Sequence, residues 1–136
     1  RFIVYAQSLG GAIASRAVPD FGQQDQIDLL VLDSTFSSYK KAAGHFLGSF
    51  KSLANVFISD EYSSEMHIDR IKPKILVVHD KRDPIVNVRL GIHLYNLASP
   101  RADYWEYDKG RHIGVFAADT PQNRPRFVHY LDTVLQ

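Results

Sequence analysis

The sequence predicts an α/β fold with a mostly parallel sheet between layers of helices, in the three-layer order αβα. Four apolar runs of strand length lie at 2–6, 27–32, 74–79 and 104–107. The second run and residues 75–78 of the third scarcely alternate between apolar and polar side chains, which is typical of strands covered on both faces. Segments with helical periodicity separate the runs, as the crossover connections of a parallel sheet require.

The bulk composition is that of a single globular domain over residues 1–136, with 45% hydrophobic and 23% charged residues. The formal net charge of +1 gives no reason to expect nucleic acid as a partner. No apolar run approaches the ~20 residues of a membrane span, so we expect no membrane insertion by this segment. The chain has no cysteine, which excludes disulfides, thiol catalysis and thiolate metal sites and is compatible with a cytoplasmic location.

The start of the chain predicts that further residues precede it. Arg1 already lies within a strand pattern, there is no initiating methionine, and no signal peptide is visible. We therefore expect an N-terminally truncated domain.

Three helices are predicted around the strands. The first covers 9–18 and is ended by Pro19. A second, over 86–98, has two apolar stripes and is expected to be largely buried. Thr120 is the expected N-cap of the last helix, with Pro121 at its first position. Its apolar face has helical spacing and consists of Phe127, Tyr130, Leu131 and Val134.

The stretch 34–73 between two strands is too long for an unstructured connection. Apolar residues follow a helical period from Tyr39 to Phe57, and Ser37 or Ser38 is the expected cap at the start of that helix. A second short helix is expected over 64–71. We interpret 34–73 as a helical insertion or lid-like segment.

Two aromatic residues of this insertion, Phe46 and Phe50, are candidates for contact with an apolar substrate. The alternative is that the aromatic stripe belongs to an ordinary hydrophobic core.

Ser8 is the most informative residue, because it lies in a tight turn between the strand at 2–6 and the first helix. This layout is that of a nucleophile elbow, in which the turn exposes the serine hydroxyl above the strand end. Gly10 and Gly11 suit a turn in which backbone segments pass closely. The alternative is that Ser8 is a plain helix N-cap.

A serine hydroxyl needs a base to take its proton and an acid to orient that base. Asp83 and His112 each lie in a loop just beyond a strand end, where α/β proteins place active sites. Asp80 and Asp33 are alternative acids, since both lie close to strand ends.

The other histidines are expected to have packing or surface roles. His79 closes a strand, and the rest lie within helical patterns, namely His45, His67, His93 and His129. Their spacing is not that of metal ligands, so we expect neither a metal nor another cofactor.

Four pieces of the sequence carry a family resemblance: Tyr5–Gly11, Ile71–Asp80, Asp83–Val86 and Gly110–His112. In this order and spacing they resemble the C-terminal half of an α/β-hydrolase. More narrowly, they are similar to the branch of serine-aminopeptidase-like, monoacylglycerol-lipase-like and depalmitoylase-like hydrolases. The resemblance implies the last four strands of the eight-stranded family sheet.

The resemblance also implies roles for individual residues. Ser8 is the expected nucleophile, His112 the general base and then acid, and Asp83 the orienting carboxylate. The backbone N–H of Leu9 is the expected oxyanion donor, while the second donor comes from a loop earlier in the fold. Two positions depart from the family pattern, because Ala6 and Asp80 stand where glycine is usual.

The function implied is that of a serine hydrolase that cleaves a carboxylic ester or thioester, with an amide as a further option, in a small-molecule acyl substrate. The alternative is a catalytically silent half-domain that binds a partner. Its strand at 2–6 is expected to form an exposed edge that pairs with another chain, including a second copy in a homo-oligomer.

Overall fold

A computed structural model of the protein describes residues 2–46, 60–61 and 63–136, of which 44–46 are described by their backbone alone. The strands are β1 (Phe2–Gln7), β2 (Ile27–Asp33), β3 (Lys74–Asp80) and β4 (Ala102–Tyr107). The α-helices of this part of the chain are α1 (Leu9–Asp20), α2 (Tyr39–Phe46), α3 (Val88–Ala98) and α4 (Asn123–Val134). Short 3₁₀ turns cover Gln24–Gln26, Ser64–Met66 and Ile68–Arg70.

The four strands form one sheet in the order β1-β2-β3-β4, and every neighbouring pair is parallel. At the carboxyl edge, Gln7 of β1 is paired with Asp33 of β2, and Asp33 is paired with Val78 of β3. The loops that follow these strands therefore lie side by side. The predicted parallel α/β architecture is confirmed.

Two hydrophobic clusters show that helices cover both faces of the sheet. Alternate residues of β2, such as Leu30 and Leu32, pack with Val18 of α1 and Leu94 of α3. The residues between them along the strands pack against the aromatic side of α4 on the other face of the sheet. This second cluster consists of Leu29, Val31, Leu76, Val78, Phe127, Tyr130, Leu131 and Val134. Complete burial of each such side chain contributes about 1.5–3 kcal/mol, so β2 and β3 are the centre of the core.

The predicted ends of two helices were wrong. Helix α1 continues through Pro19 to Asp20, because proline has a helical φ and forfeits only one hydrogen bond in a last turn. Helix α4 begins at Asn123 and not at Pro121. The Thr120 side chain does not cap α4. Its hydroxyl instead donates to the Val115 carbonyl at 2.8 Å.

Helix α3 is only partly buried, contrary to the prediction. Leu97 is 43% exposed, and the buried stripe consists of Gly91, Leu94 and Ala98. The reason is a close approach to β3, since a Cβ built on Gly91 would lie 2.4 Å from Nδ1 of His79. The helix therefore meets the sheet along its smallest residues.

The start of α2 follows the prediction. The Ser38 hydroxyl accepts from the Lys41 N–H at 3.2 Å, as an N-cap does, and donates to the Asp60 carboxylate at 2.7 Å. The segment 64–71 contains two 3₁₀ turns and not the single helix expected. Phe50 and the remainder of 47–59 lie outside the described residues, as does the side chain of Phe46.

Candidate active site

Ser8 occupies a strained turn between β1 and α1. Its φ of 50° and ψ of −123° lie in a region that side chains other than glycine rarely adopt. The turn is held from both sides: the Ser8 N–H donates to the Asp33 carbonyl at 2.9 Å, and the Thr35 hydroxyl donates to the Ser8 carbonyl at 2.6 Å. Strain of this kind persists only where surrounding contacts fix it.

Gly11 allows α1 to approach the end of β2. A Cβ at this position would lie 2.2 Å from Oγ1 of Thr35, so any side chain would displace the threonine that holds the turn. A Cβ on Gly10 would meet nothing within 4 Å. Of the two glycines predicted to permit a close approach, only Gly11 faces one.

Asp83 is buried in the loop after β3, and both of its oxygens have partners. Oδ1 accepts from the N–H groups of Ile85 at 2.7 Å and Val86 at 2.9 Å. Oδ2 lies 2.9 Å from Nδ1 of His112. The two backbone bonds fix the carboxylate and leave one oxygen directed at the imidazole.

His112 joins this carboxylate to the serine, since its Nε2 lies 2.8 Å from Ser8 Oγ. An ionised carboxylate only accepts hydrogen bonds, so Nδ1 carries the proton and the neutral ring has its lone pair on Nε2. Nε2 therefore accepts from the serine hydroxyl. The His112 side chain is 18% exposed, which leaves it open to the solvent side.

The two alternative acids have other hydrogen-bond partners. Asp33 accepts from the Tyr5 hydroxyl at 2.9 Å and the Gln7 amide at 3.1 Å. Burial, together with the negative charge of Asp33, raises the pKa of Tyr5, which keeps it a donor. Asp80 accepts from four backbone N–H groups. Of the three candidate acids, it is Asp83 whose carboxylate contacts His112.

Among the other described histidines, His79 adjoins this cluster. It is fully buried, with Nε2 3.0 Å from the Val86 carbonyl and 3.6 Å from Asp83 Oδ2. His67 lies 2.8 Å from the Glu61 carbonyl, and His129 is exposed. The described part of the chain contains no group of three or more His, Asp or Glu side chains suited to a metal ion.

Sequence comparison identifies relatives of this chain. No protein-family model matches the chain. The chain is 30% identical over 118 residues to protein YfhR of Escherichia coli O157:H7, covering 86% of this chain and 40% of that protein. It is 26% identical over 121 residues to lysophosphatidylserine lipase ABHD12 of Bos taurus, covering 76% and 29%. The chain thus spans less than half the length of these relatives.

Solved structures share the fold over nearly the whole chain. The esterase Pf2001 of Pyrococcus furiosus superimposes with a TM-score of 0.74 at 19% identity, covering 100% of this chain and 55% of the esterase. The acylaminoacyl peptidase of Pyrococcus horikoshii gives 0.76 at 13% identity, covering 99% and 24%. The chain has the α/β-hydrolase fold.

In this chain of α/β-hydrolase fold, the residues that support the predicted site residues could not be identified from the sequence. Thr35 carries no motif, and its only signal was its place just beyond a strand. Ile113, directly after His112, has a φ of 58°, which is strained for a β-branched residue. Asp80 was interpreted only as an alternative acid, although its place at a usual glycine position marked it as unusual.

A further observation concerns the length and apolar character of the helices. Among the described residues, no helix has both the length and the apolar character needed to cross a bilayer.

Proposed function

We propose that the protein is a serine hydrolase that acts through an acyl-enzyme intermediate. The observation that supports this most strongly is the pair of hydrogen bonds that links Ser8 Oγ to His112 Nε2 and His112 Nδ1 to Asp83 Oδ2. A nucleophile, a base and an orienting acid in mutual contact are the requirement for activating a serine.

The reaction starts with attack of Ser8 Oγ on the carbonyl carbon of the substrate, while its proton passes to His112 Nε2. The carboxylate of Asp83 stabilises the imidazolium that forms. When the tetrahedral intermediate collapses, the imidazolium gives its proton to the leaving group and the acyl group stays on Ser8. Water, deprotonated by His112, then releases the acid and restores the serine.

The negative oxygen of the tetrahedral intermediate needs hydrogen-bond donors. Leu9 is the first residue of α1, and N–H groups in the first turn of a helix have no partner within it. We assign its N–H as one oxyanion donor. Loss of one such donor costs about 10²–10³-fold in rate.

The substrate class that we propose is an ester or thioester with an apolar acyl group, with an amide as the third option. The named relatives support acyl transfer, because one is a lysophosphatidylserine lipase, one an esterase and one an acylaminoacyl peptidase. Phe46 and Phe50 remain our candidates for acyl-chain contact. A Phe50→Ala variant with an unchanged preference among acyl chain lengths would contradict that role.

The direct test is hydrolysis of p-nitrophenyl esters of two to twelve carbons by the wild type and two histidine variants. His112→Ala should lower kcat by about 10⁴–10⁶-fold, because the serine loses its base. His129→Ala, which changes an exposed histidine on α4, is the matched control and should leave kcat unchanged. Equal activity of the two variants would contradict the proposal.

A binding role is the second candidate, and one observation favours it. In β1 and at the end of α1, the residues Phe2, Ile3 and Phe21 are 55%, 39% and 44% exposed. Apolar residues on an edge strand invite pairing with another strand, in a second copy of the chain or in a different protein. In this alternative the protein associates through β1 and shows no acyl transfer.

A further inference from the structure

The buried carboxylate of Asp80 joins the loop of the acid to the loop of the histidine. Oδ1 accepts from the N–H groups of Arg82 at 2.8 Å and Gly110 at 3.1 Å. Oδ2 accepts from those of Lys109 at 3.0 Å and Arg111 at 2.9 Å. One side chain at the end of β3 thus binds three consecutive amides directly before His112.

The three amides belong to an exposed segment, in which Arg111 also forms a surface ion pair with Asp119 at 3.2 Å. Lys109, Gly110 and Arg111 are all exposed, and Gly110 has a φ of 68°. Asp80 itself is completely buried. Hydrogen bonds from backbone N–H groups to a carboxylate are charge-assisted and stronger than neutral ones, so this residue sets where the segment runs.

We propose that Asp80 is a positioning residue that holds His112 within reach of Ser8 and Asp83. This inference rests on the proposed function, in which His112 is the base. A glycine at this position would have no side chain to form such a link. The link therefore depends on the identity of residue 80.

The electrostatics agree with the geometry. Burial alone would raise the pKa of Asp80, but the hydrogen bonds from Arg111, Arg82, Gly110 and Lys109 outweigh it and lower the pKa. The side chain is consequently ionised at neutral pH and accepts all four bonds. Asparagine has the same shape, but its NH₂ group cannot accept a hydrogen bond and would face backbone N–H groups.

A matched control lies in the same pair of loops. Arg82 and Asp108 form an ion pair across them, and their side chains are 66% and 53% exposed. Exposed pairs contribute little, so Asp108→Asn changes the charge by the same amount as Asp80→Asn without removing the buried link.

The test is steady-state hydrolysis of p-nitrophenyl acetate by the wild type and both variants. Asp80→Asn should lower kcat by about 10–100-fold, because displacement of a catalytic group by about 1 Å has an effect of this size. KM should stay within twofold, since Asp80 is not placed at the substrate, and Asp108→Asn should keep both constants within twofold. A wild-type kcat in Asp80→Asn, or a change confined to KM, overturns the proposal.

Amide hydrogen exchange on the wild type makes the test independent of activity and of whether the variant folds. The N–H groups of Lys109, Gly110 and Arg111 should exchange at least tenfold more slowly than in an unstructured peptide of the same sequence. Unprotected amides overturn the link even if Asp80→Asn is inactive. A protein with protected amides but no hydrolysis instead contradicts the proposed function.

Discussion

The carboxyl end of the sheet and the flank of β1 have opposite character. At the carboxyl end, the carboxylates of Asp33, Asp80 and Asp83 are buried, and each accepts hydrogen bonds from nearby donors. The β1 flank, which we define as the groove lined by Phe2, Ile3, Val4, Ala14, Ala17, Val18, Phe21 and Ile27, is an open apolar cavity of about 480 Å³.

Hydrogen bonds to buried carboxylates therefore dominate the carboxyl end, whereas apolar surface dominates the β1 flank. Among the described residues, hydrogen bonds of Thr35, Val86 and His112 connect Ser8, Asp83 and His112 to the carboxyl end of the sheet. The β1 flank, in contrast, presents apolar side chains without a covering layer from those residues. Substitutions at the carboxyl end should therefore change chemistry, and substitutions at the flank should change association.

After the loss of His112, the next largest effect should come from the acid. Asp83→Asn should lower kcat by about 10³–10⁴-fold, because an amide at this place favours the wrong tautomer of His112. Asp33→Asn, which alters a buried carboxylate that does not contact the histidine, should have a much smaller effect on kcat. Steady-state ester hydrolysis measures both, and equal losses would mean that the two carboxylates share the role.

Two glycines test the close approaches that support the site. Gly91→Ala would push a Cβ against the His79 ring, and Gly11→Ala would push one against Thr35. Each should lower the free energy of unfolding by about 1–3 kcal/mol, as overpacking does. Gly22→Ala, where a Cβ meets nothing within 4 Å, is the control. Urea unfolding measures all three, and a Gly91→Ala protein as stable as the control would contradict the packing.

The β1 flank should respond to charge. If the protein associates through this edge, Ile3→Lys should raise the dissociation constant at least tenfold, since a lysine on an edge strand opposes pairing. Val128→Lys on α4 replaces a side chain that is 59% exposed and should leave association unchanged. Sedimentation velocity measures both, and a monomeric wild type at high concentration would remove the premise.

The smallest effect concerns pH and Asp80. Because its pKa in the folded protein is lowered from the ordinary 3.8, the ionised side chain stabilises the fold above that value. This stabilisation is lost as pH falls through the lowered pKa. The difference in unfolding free energy between the wild type and Asp80→Asn should thus be constant at neutral pH and shrink in acid. A difference that is independent of pH would contradict the assignment.

Much of the fold could be predicted, because parallel strands buried on both faces are uninterrupted apolar runs and the turn after β1 has a characteristic layout. Helix ends were harder to predict. Pro19 fits a last turn, and Thr120 forms a hydrogen bond back to Val115 instead of capping α4. Tertiary contacts determine both helix ends, and such contacts leave no local pattern in the sequence.

Chain order and strand ends selected Ser8, Asp83 and His112, and the structure places these three side chains in contact. The residues around them could not be selected in the same way. The role inferred for Asp80 depends on amides about thirty residues later, so no local pattern could indicate it. The role of Thr35 could not be predicted for the same reason, because its hydrogen-bond partner is a carbonyl in the turn at Ser8.

We propose that Ser8 is an activated nucleophile, and labelling with a fluorophosphonate probe, with intact mass as the readout, detects such a serine. We predict a single covalent adduct on the wild type and none on Ser8→Ala. Circular dichroism should show that both proteins are folded. An unlabelled, folded wild type, or an adduct that persists in Ser8→Ala, would contradict the account.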